Sequence, residues 1–413
     1  MELSQPPELI QHRQQQQQQQ PDDHQSPACF SRSLAKIIMC TNKGGTVLNR
    51  PQMHETEQER GKRYYMILLG INYMCLFIGS VSSSLLSKFY FNHKGGNRWV
   101  STWVQCAGFP LLLLPIYLFK ICTDRTPFTG FTPKILSLSI LIGFLLGLNN
   151  LLFSWGNSYL PVSTNSLVLS TQLAFTLITS VIIVKQKITF ANLNCVILLT
   201  LSSVLLALSS SHDKPIGLTK VKYFKSFFST VGAGLLFALY LPIMEKVYRK
   251  VYCYAMVVEM QLVMEMAATV LATVGMAADG GFTVMRTESI KVFDLGAKAY
   301  WLTVGFNVVT WQLCFMGTAG MVFLTTSLTG GVCMTALMAI NVLGGVLVYG
   351  DHFGGLKAVS TLLCLWGFCS YIYGIYKKDE EVNQSREKKN NADQPHQFME
   401  LAEICALVTL LDR

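Results

Sequence analysis

The side chains able to do chemistry in this 413-residue chain are amides, indoles and a few carboxylates set inside long apolar runs. Asn165, Gln172, Thr176 and Thr179 recur at helical spacing and share one face of one run. Such a stripe either faces a polar cavity or bonds neighbouring helices. A second run, YAMVVEMQLVMEMAATVLATVGM (254–276), carries Glu265 near its middle and Gln261 one turn earlier. Lipid disfavours an ionised carboxylate, and an acid kept at that depth asks for a functional reason. An acid that gains and loses a proton there suits proton coupling; its structural alternative is a static acid paired with another helix. Glu259 lies nearer the start of the run, where an interfacial position is expected, and Glu245 with Arg249 reads as a helix-end ion pair.

A third group joins amides to indoles. Asn307, Trp311 and Gln312 share one run, Asn149, Asn150 and Trp155 another, and Asn72 lies in the first. An amide can bond an amidine-like edge bidentately, and an indole face stacks on a flat ring. The chemistry expected is therefore recognition of a small heteroaromatic solute by Asn149, Trp155, Asn165, Gln172, Gln261, Asn307, Trp311 and Gln312. Glu265, with Glu259, would handle protons. Trp99, Trp301, Tyr371, Tyr373 and Tyr376 stand at run ends, as interfacial belt residues do. Twelve cysteines are scattered without a C-x-x-C pair, and no Gly-rich loop ends in GK[ST]. Metal, cofactor and ATP-driven pumping are thus not expected.

These residues need elements to hold them. The composition is 51% hydrophobic and only 14% charged, against about 25% charged in soluble domains. That excludes a soluble enzyme, a secreted disulfide scaffold and a disordered chain. The net charge of +9 comes mostly from clusters between apolar runs, where basic residues orient a chain in a bilayer, so nucleic acid is not the partner expected. Ten runs reach spanning length, at about 64–86, 99–120, 134–156, 164–184, 188–209, 226–248, 254–276, 299–317, 321–348 and 354–376. Lipid requires them to be helices, so the fold expected is an all-α membrane protein. No cleavable signal peptide is read at the start. Residues 1–63, with the run Gln14–Gln20, read as a disordered tail, and 377–413 as a second polar tail ending in a short amphipathic stretch.

The links after spans three and eight are both very short, and the charged turn Lys185-Gln-Lys187 has a counterpart in Asp351-His352. The chain then divides into 64–209, a linker 210–225, and 226–376, with five spans in each half. An odd number per half inverts the second, giving two inverted five-helix repeats around a mid-depth site. Both tails fall on one side, assigned to the cytosol because a long polar tail resists translocation. The sequon Asn383-Gln-Ser385 is then expected to stay unmodified.

Four blocks carry a family resemblance. YLPVSTNSLVLSTQLAFTLITSVIIVKQKIT (159–189) resembles the signature of the plant purine permeases, within the drug/metabolite transporter superfamily. FALYLPIMEKVYRKV (237–251), EMQLVMEMAATVLATVGM (259–276) and LCLWGFCSYIYG (363–374) are similar to the same family in the same order. The resemblance implies ten helices in two inverted repeats. It also implies proton-coupled uptake of purine bases and related rings such as cytokinins and alkaloids, at the plasma membrane or else the vacuolar membrane. The chain departs from the pattern at Ala339-Ile-Asn341, where the family usually shows a proline and then an acid, and at Gly350-Asp-His352. The departure removes span nine as a proton path, or marks a different solute preference, or leaves Asn341 as a structural substitute. Three other functions remain open: an exchanger of sugar nucleotides or organic phosphates, a membrane-embedded enzyme, and a receptor or scaffold without transport. The first wants buried Lys or Arg, which the spans almost lack. The second wants a His/Asp/Cys cluster at mid-depth, which is absent from the pattern. The sequence sets no oligomeric state.

Overall fold

The computed structural model describes residues 50–385 except 124–125, 171, 186–189, 211–219, 351–352, 375, 378–379 and 382–383. The glutamine run, the turn at 186–187, most of the linker, Asp351-His352, Asn383 and the amphipathic end of the second tail lie outside the described residues. What is described is helical. In chain order the helices are α1 (Arg50–Asn92), α2 (Arg98–Cys106), α3 (Leu113–Thr123), α4 (Pro133–Tyr159), α5 (Val162–Ser170), α6 (Gln172–Val184), α7 (Phe190–Ser210), α8 (Lys220–Tyr248), α9 (Tyr254–Ala278), α10 (Gly281–Thr287), α11 (Gly296–Leu324) and α12 (Ser327–Tyr349). A further helix, α13, covers Gly355–Gly374.

Among the described residues, eight helical stretches are long and apolar enough to cross a membrane. They match expected spans one to three and six to ten, except that the link expected at Gly317–Gly320 lies inside α11, which continues to Leu324, so the turn into α12 falls at Thr325-Thr326. One is a composite, Arg98–Ile121, in which a 3₁₀ turn at Phe109–Leu112 joins α2 to α3. Expected span four holds α5 and α6, on either side of residue 171, and expected span five holds α7. The architecture is that of an all-α, multi-pass membrane protein. Helix α1 also begins at Arg50, ahead of the span and inside the stretch read as a tail.

Local chemistry sets the boundaries. The Asn97 side chain accepts from the Trp99 and Val100 amides and caps α2. Thr132 caps α4, with Pro133 in its first turn. The extended Leu160 and Pro161 then end α4 and start α5. Gly350, at φ +66°, closes α12 in the left-handed conformation that glycine adopts without strain. Pro242 lies inside α8 and has no N–H for the Ala238 carbonyl one turn back. Thr179 of α6 supplies the missing donor, its Oγ1 lying 2.6 Å from Ala238 O.

Helix α1 lies along α11, α4 along both α8 and α9, α6 along α8, and α12 along α5 and α6. The α1–α11 crossing is close because both surfaces carry glycine. A Cβ on Gly317 would meet the Leu76 backbone, and one on Gly79 the Cys314 backbone. The two ends of the bundle are tied differently. At one end Lys88 Nζ donates to Leu160 O (2.7 Å), and the Glu288 carboxylate accepts from Tyr90 OH (2.7 Å) and the amides of Gly96 and Asn97 (2.9 and 3.1 Å). At the other end Tyr254 OH donates to Asn72 Oδ1 (2.8 Å), and Glu245 accepts from the Ser327 amide (2.7 Å) while pairing with Arg249 (2.9 Å). Glu245 therefore does more than the expected ion pair: it also caps the start of α12.

Candidate functional site

At mid-bundle, between α1, α4, α5, α6, α8, α11 and α12, lies a narrow cavity of about 50 Å³, tighter than the ~300–1,000 Å³ of open small-molecule sites. Its aromatic wall is Phe153 of α4 with Trp311 and Phe315 of α11. Phe153 meets Trp311 edge-on at 5.3 Å between centroids, and Phe315 stacks on it at 5.4 Å. Trp311 Nε1 donates to Ser87 Oγ (3.2 Å), which also bonds the Asn307 amide (3.3 Å). With its polar edge held, the indole offers only its apolar surface to the cavity.

The polar part of the lining is sparse. Asn149 Nδ2 donates to Asn150 Oδ1 (3.3 Å), and Asn150 Nδ2 to Cys106 Sγ (3.1 Å). Asn149 Oδ1 and Gln172 Nε2 are buried and have no partner among the described residues. An unmade bond costs ~1–3 kcal/mol at a buried polar atom. One unpaired acceptor and one unpaired donor thus belong to two residues of the same aromatic cavity. Ser80, Ser83 and Ser84 of α1 add hydroxyls to the lining. Among the described residues, no Lys, Arg, His, Asp or Glu is part of the lining.

Glu265 stands apart from this cavity. It is fully buried, and its Oε1 accepts from Gln261 Nε2 of its own helix (2.9 Å) and Gln312 Nε2 of α11 (3.2 Å). Among the described residues no cation pairs it, and its Oε2 and the oxygens of both amides lack partners. Thr269 Oγ1 bonds both the Glu265 carbonyl (2.7 Å) and the Cys106 carbonyl (2.9 Å). Cys106 joins this acid centre to the cavity through Asn150.

The residues expected from the sequence to hold a ring therefore divide. Asn149, Gln172 and Trp311 line one cavity. Gln261 and Gln312 instead clasp Glu265, and Asn307 backs the Trp311 indole through Ser87. Asn165 Oδ1 is bonded by Thr230 Oγ1 of α8 (2.9 Å), so its amide ties two helices. Trp155 lies near the end of α4, outside the cavity, with Arg98 and Lys225 at 4.0 and 3.9 Å from its ring. Glu259 is buried in the first turns of α9. Phe153, Phe315 and the α1 serines were missed by sequence reasoning. The run Ser82-Ser83-Ser84, inside an apolar span, was the one available signal.

Fold and cavity together define a polytopic helical membrane protein with a narrow mid-depth slot whose described lining carries aromatic rings, amides and hydroxyls. Residues 67–381 match the PUNUT family, described as purine nucleobase transmembrane transport. Probable purine permease 4 of Arabidopsis thaliana is 65% identical over 72% of this chain and 78% of its own length. Purine permease 3 of the same plant is 34% identical over 78% and 95%, and its purine permease 2 is 35% identical over 76% and 94%. A crystal structure of a protein aligns at a TM-score of 0.50 and 12% identity, over 74% of this chain and 98% of that one. That likeness concerns the fold alone. The chain belongs to the plant purine permease family.

Proposed function

We propose that this protein is a proton-coupled secondary importer of purine nucleobases. The observation that carries the reading is the pairing of Gln172 Nε2 and Asn149 Oδ1, one donor and one acceptor without partners, at an aromatic cavity. A purine edge presents an acceptor beside a donor and would complete both bonds. Phe153 and Trp311 would hold the ring faces. The uncharged lining disfavours sugar nucleotides and organic phosphates, whose charge calls for Lys or Arg. Family membership and the names of the relatives support the same solute class.

Glu265 would carry the proton. Ionised, it accepts from two amides; protonated, it would donate to an amide oxygen turned towards it by a flip of Gln261 or Gln312, whose oxygens have no other partner among the described residues. Both states can thus be met without a cation. For the architecture, we infer ten helices in two inverted halves, 64–209 and 226–376. The exchanged packing supports this: the first span lies on the eighth as the third lies on the sixth, which a two-fold relation between halves requires. Tails in the cytosol and a plasma-membrane location complete the proposal, since an importer acts there. Cytokinins and alkaloids, as substituted heteroaromatic rings, are further solutes to test.

The test is labelled adenine uptake in yeast lacking its own permease, at two external pH values, with and without a protonophore, and with cytokinins and alkaloids as competitors. Uptake should rise at acid external pH and collapse with the protonophore. Uptake indifferent to both would leave a facilitator; none at all would favour a receptor or scaffold.

A further inference from the structure

Asn341 of α12 is fully buried, yet its amide is only half engaged. Nδ2 donates to Ser84 Oγ of α1 at 3.2 Å, whereas Oδ1 has no partner among the described residues. Ser84 lines the central cavity; Asn341 lies behind it. A serine inside a helix usually turns its proton back to a carbonyl three or four residues earlier. Its neighbour Ser83 does so, bonding Ser80 O at 3.3 Å. Ser84 does not: the Asn341 amide is the partner its oxygen has among the described residues. Because that bond occupies a lone pair of Ser84 Oγ, the hydroxyl proton is left to be donated elsewhere.

We propose that Asn341 is a positioning residue which holds Ser84 so that its hydroxyl donates a hydrogen bond to the solute, favouring solutes with an acceptor, such as an oxo group, at that point. The inference rests on the purine reading above and adds a selectivity element to the same site. Without the Asn341 donor, Ser84 would return its proton to its own helix and present lone pairs to the cavity. The site would then prefer an amino group where it had favoured an oxo group.

The experiment compares the apparent affinity for hypoxanthine, a 6-oxo purine, with that for adenine, its 6-amino counterpart. Uptake and competition are measured for the wild type, Ser84→Ala, Asn341→Leu and the double variant. Asn341→Leu is near-isosteric and removes an amide oxygen already unpaired, which favours a folded variant; Ser84→Ala is the milder second probe. Loss of one hydrogen bond predicts that the hypoxanthine-to-adenine affinity ratio falls about three- to tenfold in each single variant. Since Asn341 acts through Ser84, the double variant should match Ser84→Ala, with no additional fall. A merely structural role would lower both affinities together and leave the ratio unmoved. An unchanged ratio in Asn341→Leu, or additive falls in the double variant, overturns the proposal, as does wild-type transport of adenine with no hypoxanthine binding. Transport of neither purine by the wild type would instead remove the purine reading itself.

Discussion

Replacing Gln172 by leucine should separate stability from transport. Its Nε2 is buried without a partner among the described residues, an arrangement that costs ~1–3 kcal/mol relative to a satisfied donor. Leucine of similar bulk removes that unmet donor and packs beside Leu169 and Phe237 at the cavity wall. The purified variant should unfold at the same temperature as the wild type or higher. Solute binding moves the other way. One neutral hydrogen bond contributes about 0.5–1.5 kcal/mol net, so affinity for adenine should fall about 2- to 12-fold. Asn149→Leu should act alike through the lost acceptor. The two together, if each bonds the ring independently, should multiply to about 5- to 150-fold. The assay pairs thermal unfolding in detergent with competition binding on the same preparations. Opposite signs on the two axes mark an amide kept for a ligand. A Gln172→Leu protein that melts lower yet binds adenine as before would show that the amide serves the fold, and the argument from unpaired atoms would fail.

Glu265→Gln should abolish accumulation against a gradient and flatten the pH dependence, while adenine still binds; concentrative, pH-sensitive uptake in this variant would remove Glu265 from the mechanism. The wild type takes its proton from outside, so its uptake should decline as external pH rises. Glu288→Ala strips partners from Tyr90 OH and the Gly96 and Asn97 amides, so it should cost roughly 3 kcal/mol or more of stability, read as a lower unfolding temperature; Glu288→Gln, which keeps one acceptor, should lose less. Gly317→Leu places a branched side chain on the Leu76 backbone and should prevent α1 from seating on α11, seen as loss of folded protein by size-exclusion chromatography. Trp155→Phe, outside the cavity, should leave adenine affinity near the wild-type value.

The helices were legible because lipid leaves apolar chain one option. The eight long apolar helices fall where hydropathy places them, and Pro161 and Asn97 mark boundaries that capping chemistry explains. Span four was legible despite its polar stripe, because apolar residues fill the rest of α6. The site was legible as a set of residue types, less so as a place. Asn149, Gln172 and Trp311 converge because their helices meet at mid-depth. Gln261 and Gln312 are the same residue types but turn to Glu265, a choice set by helix rotation, which periodicity within one helix does not reveal. Thr179 was on the polar stripe for a reason lying in another helix, the carbonyl freed by Pro242. Trp155 shows the converse: an indole near amides in sequence, yet drawn to Arg98 and Lys225 once the chain is folded.

The most direct test is a cryo-electron microscopy map of the protein with adenine bound. Planar density is expected beside Trp311 and Phe153, its edge within hydrogen-bond distance of Gln172 and Asn149. Density confined to another part of the bundle, with those two amides still unpaired, would contradict it.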